Sequence, residues 1–577
     1  MRFPPPATIP VALAMAALGS CGRERARSIQ LEEVGLSTNI DVRVKSGDPR
    51  RWYIPESNGS GAAWLDYDSD GDMDLLIGNG ASVNYVEDGK RLEIVKDGGT
   101  RLYAKDWKED HPFPFFDATE ASGLSCKEWV NGIATGDIEG DGDTDVYFAN
   151  FGIDALYRND GGKFRDATEE CGLRNEKWGA SAAFADVDND GDLDLYVANY
   201  CEFDPENPPA GGKRNVIQGV EVAWGPEKEN PGINLGAPDV FFRNQGKGIF
   251  KNETVEAGLA LRKPLCSYAV VFSDIDLDGW QDILVANDGQ PSNLFHNKGL
   301  GRFVEEGEAR GFAYNSKGQA TAAMGLTVED FDGDGDMDVF RTNFDLEANS
   351  LLVNDGKGNF TDRAEEFGLA APSLDRLGWA CAFWDGDNDG DYDILVANGH
   401  VYPQAEKIGM HAWLQRSQLF ECYRDEAGML KYRDRSSRIT DPFSLPAAAR
   451  GIAIGDPNND GREDVVIVDI DGPPRLFRNV TRNPGHFITV RLIGVVSNRD
   501  GYGARVTVFT GGRSFVREMR TTQGLYSSHD PRLHFGLGNE RDVLKVVVEW
   551  PSGTVQIVEK PQTDTFITIR EPSNAPR

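Results

Sequence analysis

A nine-residue acidic phrase, Asp-x-Asp-x-Asp-Gly-x-x-Asp, runs into apolar residues at Asp66-Tyr-Asp68-Ser-Asp70-Gly71-Asp72-Met-Asp74-Leu-Leu-Ile77, and it recurs from Asp137, Asp186, Asp274, Asp330, Asp385 and Asp456. In all seven copies the first, fifth and ninth residues are Asp and the sixth is Gly. Carboxylates at alternate positions around a sharp turn suit a hard, oxygen-seeking cation such as Ca²⁺, because one loop can wrap six or seven oxygens around the ion. The glycine permits the bend. An EF-hand shares the first six positions but closes its shell with Glu at position twelve. Here position twelve reads Ile77, Phe148, Val197, Val285, Arg341, Val396 and Ile467, inside strand-like runs such as Asp194-Leu-Tyr-Val-Ala-Asn199. The loop is therefore expected in a strand-loop-strand hairpin, with side chains from positions one, three, five and nine and a main-chain carbonyl from position seven on the ion.

The expected ligand sets are Asp66, Asp68, Asp70, Asp72 and Asp74; Asp137, Glu139, Asp141, Asp143 and Asp145; and Asp186, Asp188, Asp190, Asp192 and Asp194. They continue with Asp274, Asp276, Asp278, Trp280 and Asp282; Asp330, Asp332, Asp334, Asp336 and Asp338; and Asp385, Asp387, Asp389, Asp391 and Asp393. Asp456, Asn458, Asp460, Arg462 and Asp464 form the weakest set. Position three changes only to the oxygen donors Glu139 and Asn458, whereas position seven admits Trp280 and Arg462, as expected where only its backbone is used. The competing reading is a series of acidic surface turns, which seven matched copies disfavour.

These loops need a scaffold that repeats with them. A second phrase lies between them, an apolar or aromatic pair, Asn, a glycine turn and Phe, as in Leu156-Tyr-Arg-Asn159-Asp-Gly-Gly-Lys-Phe164 and Leu351-Leu-Val-Asn354-Asp-Gly-Lys-Gly-Asn-Phe360. Each reads as a hairpin. Two hairpins give four short strands per unit, and the closest units repeat at roughly fifty residues, the period of a β-propeller blade. Seven loops imply seven blades, with extra segments around 80–112, 201–237 and 399–418. Trp64, Trp178, Trp379 and Trp384 precede loops at comparable positions and are expected to pack between blades. The last unit lacks its Phe strand, while Ser28-Ile-Gln-Leu-Glu-Glu-Val-Gly-Leu36 ends in the Gly-Leu that follows that strand elsewhere. Residues near Ile29 are therefore expected to pair with the strand near Leu476 and close the ring.

The repeats resemble the FG-GAP/VCBS class of calcium-loop propeller blades. Gly501-Tyr-Gly-Ala-Arg505, Gln523-Gly-Leu-Tyr-Ser-Ser528, Leu533-His-Phe-Gly-Leu-Gly538 and Val548-Glu-Trp-Pro-Ser-Gly553 resemble the ASPIC/UnbV domain that follows such propellers in bacterial relatives of cartilage acidic protein. Asn398-Gly-His400-Val-Tyr-Pro403 fits the same family. The resemblance implies an all-β chain with a seven-bladed propeller over 28–480, a small sandwich-like domain over 481–571, and up to seven Ca²⁺, one per blade. Most blades lack the Phe-Gly and Gly-Ala-Pro phrases of integrins, so no integrin partner is implied.

Residues 1–21 carry Arg2, a short apolar stretch interrupted by Pro, and Leu18-Gly19-Ser20-Cys21, which resembles a bacterial lipoprotein cleavage box. Lipidation of Cys21 would tether the chain to the cell envelope, at the outer membrane or cell surface; a plain secretory signal, leaving it secreted or periplasmic, is the alternative. Six further cysteines, Cys126, Cys171, Cys201, Cys266, Cys381 and Cys422, allow fifteen full pairings, and buried thiols are an equal alternative.

The formal charge of −33 would be taken to −19 by seven divalent cations, so folding is expected to be linked to metal. No basic stripe is available for nucleic acid. There is no Gly-x-Ser-x-Gly elbow, His-Glu-x-x-His or phosphate-binding loop. His400 is the most suggestive base, near His411, Trp413 and Tyr402, although with Asn398 it also fits a structural turn; His529 and His534 read as structural. The sequence therefore points to a binding or adhesion module for an extracellular protein or glycan. A carbohydrate-active or other hydrolytic enzyme and a structural envelope component remain the alternatives.

Overall fold

The computed structural model describes residues 29–573 apart from 88, 106–113, 209–214, 218–219, 223–234 and 437–444, so the leader with Cys21 lies outside the described residues. Seven antiparallel four-stranded blades follow one another, six as separate sheets and the first within a six-stranded sheet, each with its acidic loop between its first two strands. The two inner strands of a blade are buried on both faces, which is why they read as unbroken apolar runs: Gly378–Trp384 and Asp393–Asn398 are buried throughout. In blades 1 to 5 the outermost strand is only three residues long, with one buried Phe ahead of two more exposed positions, as in Phe164–Asp166 and Phe250–Asn252. Short outer strands limit the exposed edge.

Blade 7 is made from both ends of the propeller. Its strands Ala449–Gly455, Asp464–Asp469 and Arg475–Asn479 are completed by Leu31–Glu33, with Leu31 opposite Asn479, Glu32 opposite Arg478 and Glu33 opposite Phe477. The ladder extends by Val34 N to Leu476 O at 2.8 Å and Val480 N to Gln30 O at 2.8 Å. The expected closure is therefore present, and buried Ile29 and Leu31 anchor it.

The C-terminal strands form two sheets. His486–Ile493 lies between Leu533–Gly538 and a parallel Thr565–Arg570, while Arg505–Thr510 and Val543–Glu549 form the centre of a four-stranded sheet. Val490, Val506, Val546 and Trp550 share a core that runs on into Ala134, Ile138 and Leu195 of blades 2 and 3. Thr522–Gln523 and Ser527–Ser528 leave this sandwich and join the sheet of blade 1, with Ser528 parallel to Ala63. The joining segment lies on the propeller axis: Gly524 exchanges backbone bonds with Leu326 of blade 5 at 2.7 Å, and Tyr526 O accepts from Ile133 of blade 2 at 2.9 Å. The side chains of Thr327 and Ser181 hold Gln523 and Tyr526 from blades 5 and 3. The central channel is thus plugged by the C-terminal domain, a feature the sequence did not suggest. All six described cysteines are buried, and among the described residues no helix is long and apolar enough to cross a membrane.

Candidate functional site

The seven loops share one hydrogen-bond plan. The position-one carboxylate accepts the glycine N–H in every blade, from Gly71 on Asp66 at 3.3 Å to Gly461 on Asp456 at 2.7 Å. The position-five carboxylate accepts the N–H of position seven, as between Asp70 and Asp72 or Asp278 and Trp280. The position-nine carboxylate ties the loop to the third strand by accepting from Lys105, Asn159, Asn244, Asn297, Asn354, Cys422 or Asn479 at 2.7–2.9 Å. This plan explains why Asp at one, five and nine and Gly at six never vary among the copies: each holds the turn as well as offering an oxygen.

Ligand atoms converge within 4.8 Å in Asp66, Asp68 and Asp70, in Asp137, Glu139 and Asp145, in Asp186, Asp188 and Asp190, and in Asp274, Asp276 and Asp282. These clusters can hold a metal ion. Buried carboxylate oxygens without a protein hydrogen-bond partner occur at Asp66, Asp72, Glu139, Asp188, Asp276, Asp336, Asp338 and Asp464, the donor chemistry a hard cation completes. Burial, reinforced by neighbouring carboxylates, pushes Asp72, Asp137, Asp186, Asp274, Asp330 and Asp456 up to about 7 and Asp74 up to about 8. A bound cation would reverse that cost.

Two details depart from the sequence reading. Position seven was expected to act through its backbone alone, yet the Asp72 side chain is fully buried, with both oxygens unpartnered, and Asp336 is nearly so. In these two blades a fifth carboxylate faces the site. Position three was treated as equivalent in all copies, but Arg158 pairs with Glu139, Arg243 with Asp188, and Arg310 with Asp276 at 3.2 Å. His296 joins the fourth cluster with Asp276 and Asp278. Arg158, Arg243 and His296 each precede the repeated Asn of the third strand, the one signal by which they could have been found.

The C-terminal domain covers the loop face. Arg491 faces Asp66 at 3.6 Å, Asn498 reaches Asp186 at 3.4 Å, Arg505 donates to the Gly335 carbonyl, and Arg513 pairs with Asp391 at 2.6 Å. Gly485 N donates to Asp387 O at 2.8 Å, and Arg532 donates to Asp456 O at 2.8 Å.

The insertions follow second strands, whereas the acidic loops precede them, so the two sets lie at opposite ends of the blades. On the insertion face Trp52 stacks on Tyr85 with centroids 4.2 Å apart, and Arg50 lies over both rings. Half-buried Trp413 carries Arg51 at 5.3 Å and Arg450 at 5.4 Å, and Phe203 meets Tyr53 edge-on. Trp178 and Trp379 belong to this end, while Trp64 and Trp384 stand beside loops; the expectation that all four sit at comparable positions is corrected. His400 is buried, its Nδ1 accepts the Tyr402 N–H at 3.1 Å, and burial lowers its pKa to about 4. With Asn398, which donates to Leu377 O, it shapes the turn. His411, more exposed, binds the buried Asp345 through Nδ1 at 2.5 Å. Half-buried His529 accepts the Ile454 N–H through Nδ1, and buried His534 bonds to Asn388.

Family models place an FG-GAP-like repeat at residues 137–197, 274–341 and 330–396, and ASPIC and UnbV at 494–576. The chain carries FG-GAP-like repeats and a C-terminal ASPIC and UnbV domain. Its homologues include cartilage acidic protein 1 of Xenopus tropicalis, 24% identical over 86% of this chain and 70% of that protein, and of Homo sapiens, 24% identical over 85% and 69%. The solved structure of YCF48 bound to D1 peptide aligns over 80% of this chain and 99% of its own, at 9% identity and a TM-score of 0.39, too distant to bear on function. The FG-GAP-like matches run from blade 2 into blade 3 and from blade 4 through blade 5 into blade 6, and the ASPIC and UnbV match spans the plug.

Proposed function

We propose that this protein is an exported, Ca²⁺-binding β-propeller, lipid-anchored through Cys21, that acts as a binding or adhesion module for an extracellular protein or glycan through its insertion face. One observation carries the choice of face: the C-terminal domain occupies the loop face and the channel, leaving the other end with partly exposed Trp52, Tyr85, Phe203 and Trp413 beside Arg50. Aromatic rings with adjoining guanidinium groups suit both sugar faces and protein hot spots. The Asp, Glu and Asn oxygens of the loops would hold up to seven Ca²⁺, whose charge would offset the clustered carboxylates. The test is binding of the full chain to a panel of immobilised glycans and envelope proteins, alongside Trp52→Ala and Trp413→Ala. Loss of binding with an unchanged melting temperature supports the reading; binding that survives both substitutions but fails with Arg513→Ala places the ligand on the loop face instead. A hydrolytic enzyme is favoured by one contact only, the His411–Asp345 pair, which orients an imidazole toward solvent as a general base requires. His411→Ala should then abolish any hydrolysis found.

A further inference from the structure

In three blades the C-terminal domain contributes a carboxylate to the metal loop itself. Asp500 accepts the backbone N–H of Asp137 at 2.8 Å, Glu518 that of Asp274 at 3.0 Å, and Asp530 that of Asp456 at 3.2 Å. Each bond falls on the first residue of a loop, so docking adds three negative charges beside the groups that would ligate the ion in blades 2, 4 and 7. Arg520 and Arg532 flank Glu518 and Asp530, while Arg491 and Arg499 act on Asp500 from farther away. Elsewhere the domain grips loop backbone: the carbonyls of Gly335, Asp387, Asn388 and Asp456 accept from Arg505, Gly485, Gly538 and Arg532. These bonds need the loop backbone already fixed, which is what a coordinated ion does.

We infer that metal loading and insertion of the C-terminal plug are one coupled equilibrium. Loaded loops offer a fixed backbone and a positive centre, and the domain docks on them. Emptied loops oppose carboxylate to carboxylate, and the domain releases, drawing Thr522–Ser528 out of the channel. Linkage makes the effect reciprocal, so a docked domain tightens metal binding. The inference rests on the Ca²⁺ reading above and adds to it a defined conformational consequence: chelation bares both the loop face and the axial channel.

Hydrogen exchange of the full chain, read in Ca²⁺ and in excess chelator, tests it beside a calorimetric Ca²⁺ titration. The amides of Gly524, Leu326 and Ile133 report the plug, because each bonds across it. Val146 and Tyr157, in adjoining strands of blade 2, report the propeller. Chelation should speed exchange of the plug set about tenfold or more, well beyond any change in the blade set, and be reversed by Ca²⁺. Asp500→Asn keeps an oxygen for the Asp137 N–H but removes the charge that opposes the emptied loop, so it should lower several-fold the Ca²⁺ needed for half protection of the plug; a purely structural cap would leave that midpoint in place. Ca²⁺ binding with no change in plug exchange overturns the coupling alone, as does an equal loss of plug and blade protection. Absence of Ca²⁺ binding overturns the coupling and the metal reading together.

Discussion

Leu31→Ala should destabilise the whole propeller although the residue lies in a three-residue strand at the edge of the fold. Leu31 is fully buried and sits opposite Asn479, in the sheet that joins the propeller's first strand in chain order to its last. Truncating a buried Leu to Ala costs about 2–5 kcal/mol, from lost transfer energy and the cavity left behind. A frayed tail would cost far less, because an unpaired segment buries little. The magnitude is calibrated within the molecule: Leu284, fully buried in the second strand of blade 4, gives the cost of a core leucine, and exposed Glu32 gives that of a surface position. Equilibrium urea unfolding at saturating Ca²⁺ is the assay. Leu31→Ala should resemble Leu284→Ala and shift the single main transition, while Glu32→Ala stays within about 0.5 kcal/mol of wild type. If Leu31→Ala unfolds like Glu32→Ala, or gives a separate early phase with the main transition unmoved, ring closure by the N-terminal strand contributes nothing to the rest.

Other outcomes are expected. Excess chelator should lower the melting temperature sharply, with Ca²⁺ restoring it far better than Mg²⁺, which demands a smaller octahedral shell; an unchanged melting curve rules out linked metal. Cys21→Ser should move the protein from the membrane fraction to the soluble one on extraction, and retention would dismiss the lipid anchor. Burial lowers the His529 pKa from its usual 6.5 to about 4, and neutral Nδ1 accepts the Ile454 N–H at 3.1 Å. The stability this group gives is therefore complete above about pH 6.5 and is lost as pH falls toward 4, costing about 2 kcal/mol by pH 5. His529→Asn, which keeps an acceptor but does not titrate, should flatten the stability slope between pH 7 and 5, and a slope identical to wild type would contradict this.

The acidic loops were legible because their spacing is dictated by the turn itself: the residues that would ligate an ion also hold the loop by hydrogen bonds, so chemistry and fold impose the same pattern. Ring closure was legible for a similar reason, since blade 7 visibly lacked one strand. The inward side chains of Asp72 and Asp336 were not, because position seven varies among Asp, Trp280 and Arg462 and the comparison averaged over blades whose environments differ. The grouping of the four tryptophans failed on distance. Trp379 is six residues before Asp385, and at about 3.3 Å per strand residue it stands about 20 Å away, at the far end of the blade. Trp384, next to the loop, does not.

The plug left a different trace, in residues chosen for what they lack. Thr522-Gln-Gly-Leu-Tyr-Ser-Ser528 has no apolar alternation and reads as a loop, because its bonds go to the backbone of strands hundreds of residues away. Backbone can approach backbone only where no side chain intervenes. A Cβ on Gly61, just ahead of the first inner strand, would lie 2.0 Å from the Tyr526 carbonyl oxygen, and one on Gly524, at φ +75°, 2.4 Å from the Cys381 carbonyl oxygen. Neither obstacle is a flexible side chain, so neither can move aside. Both glycines are therefore explained by the plug, whereas the glycines of the acidic loops are explained by the turn. The domain that covers the acidic-loop face is also the piece around which the inner strands are shaped, and that dual role is why loop occupancy and channel closure are expected to change together.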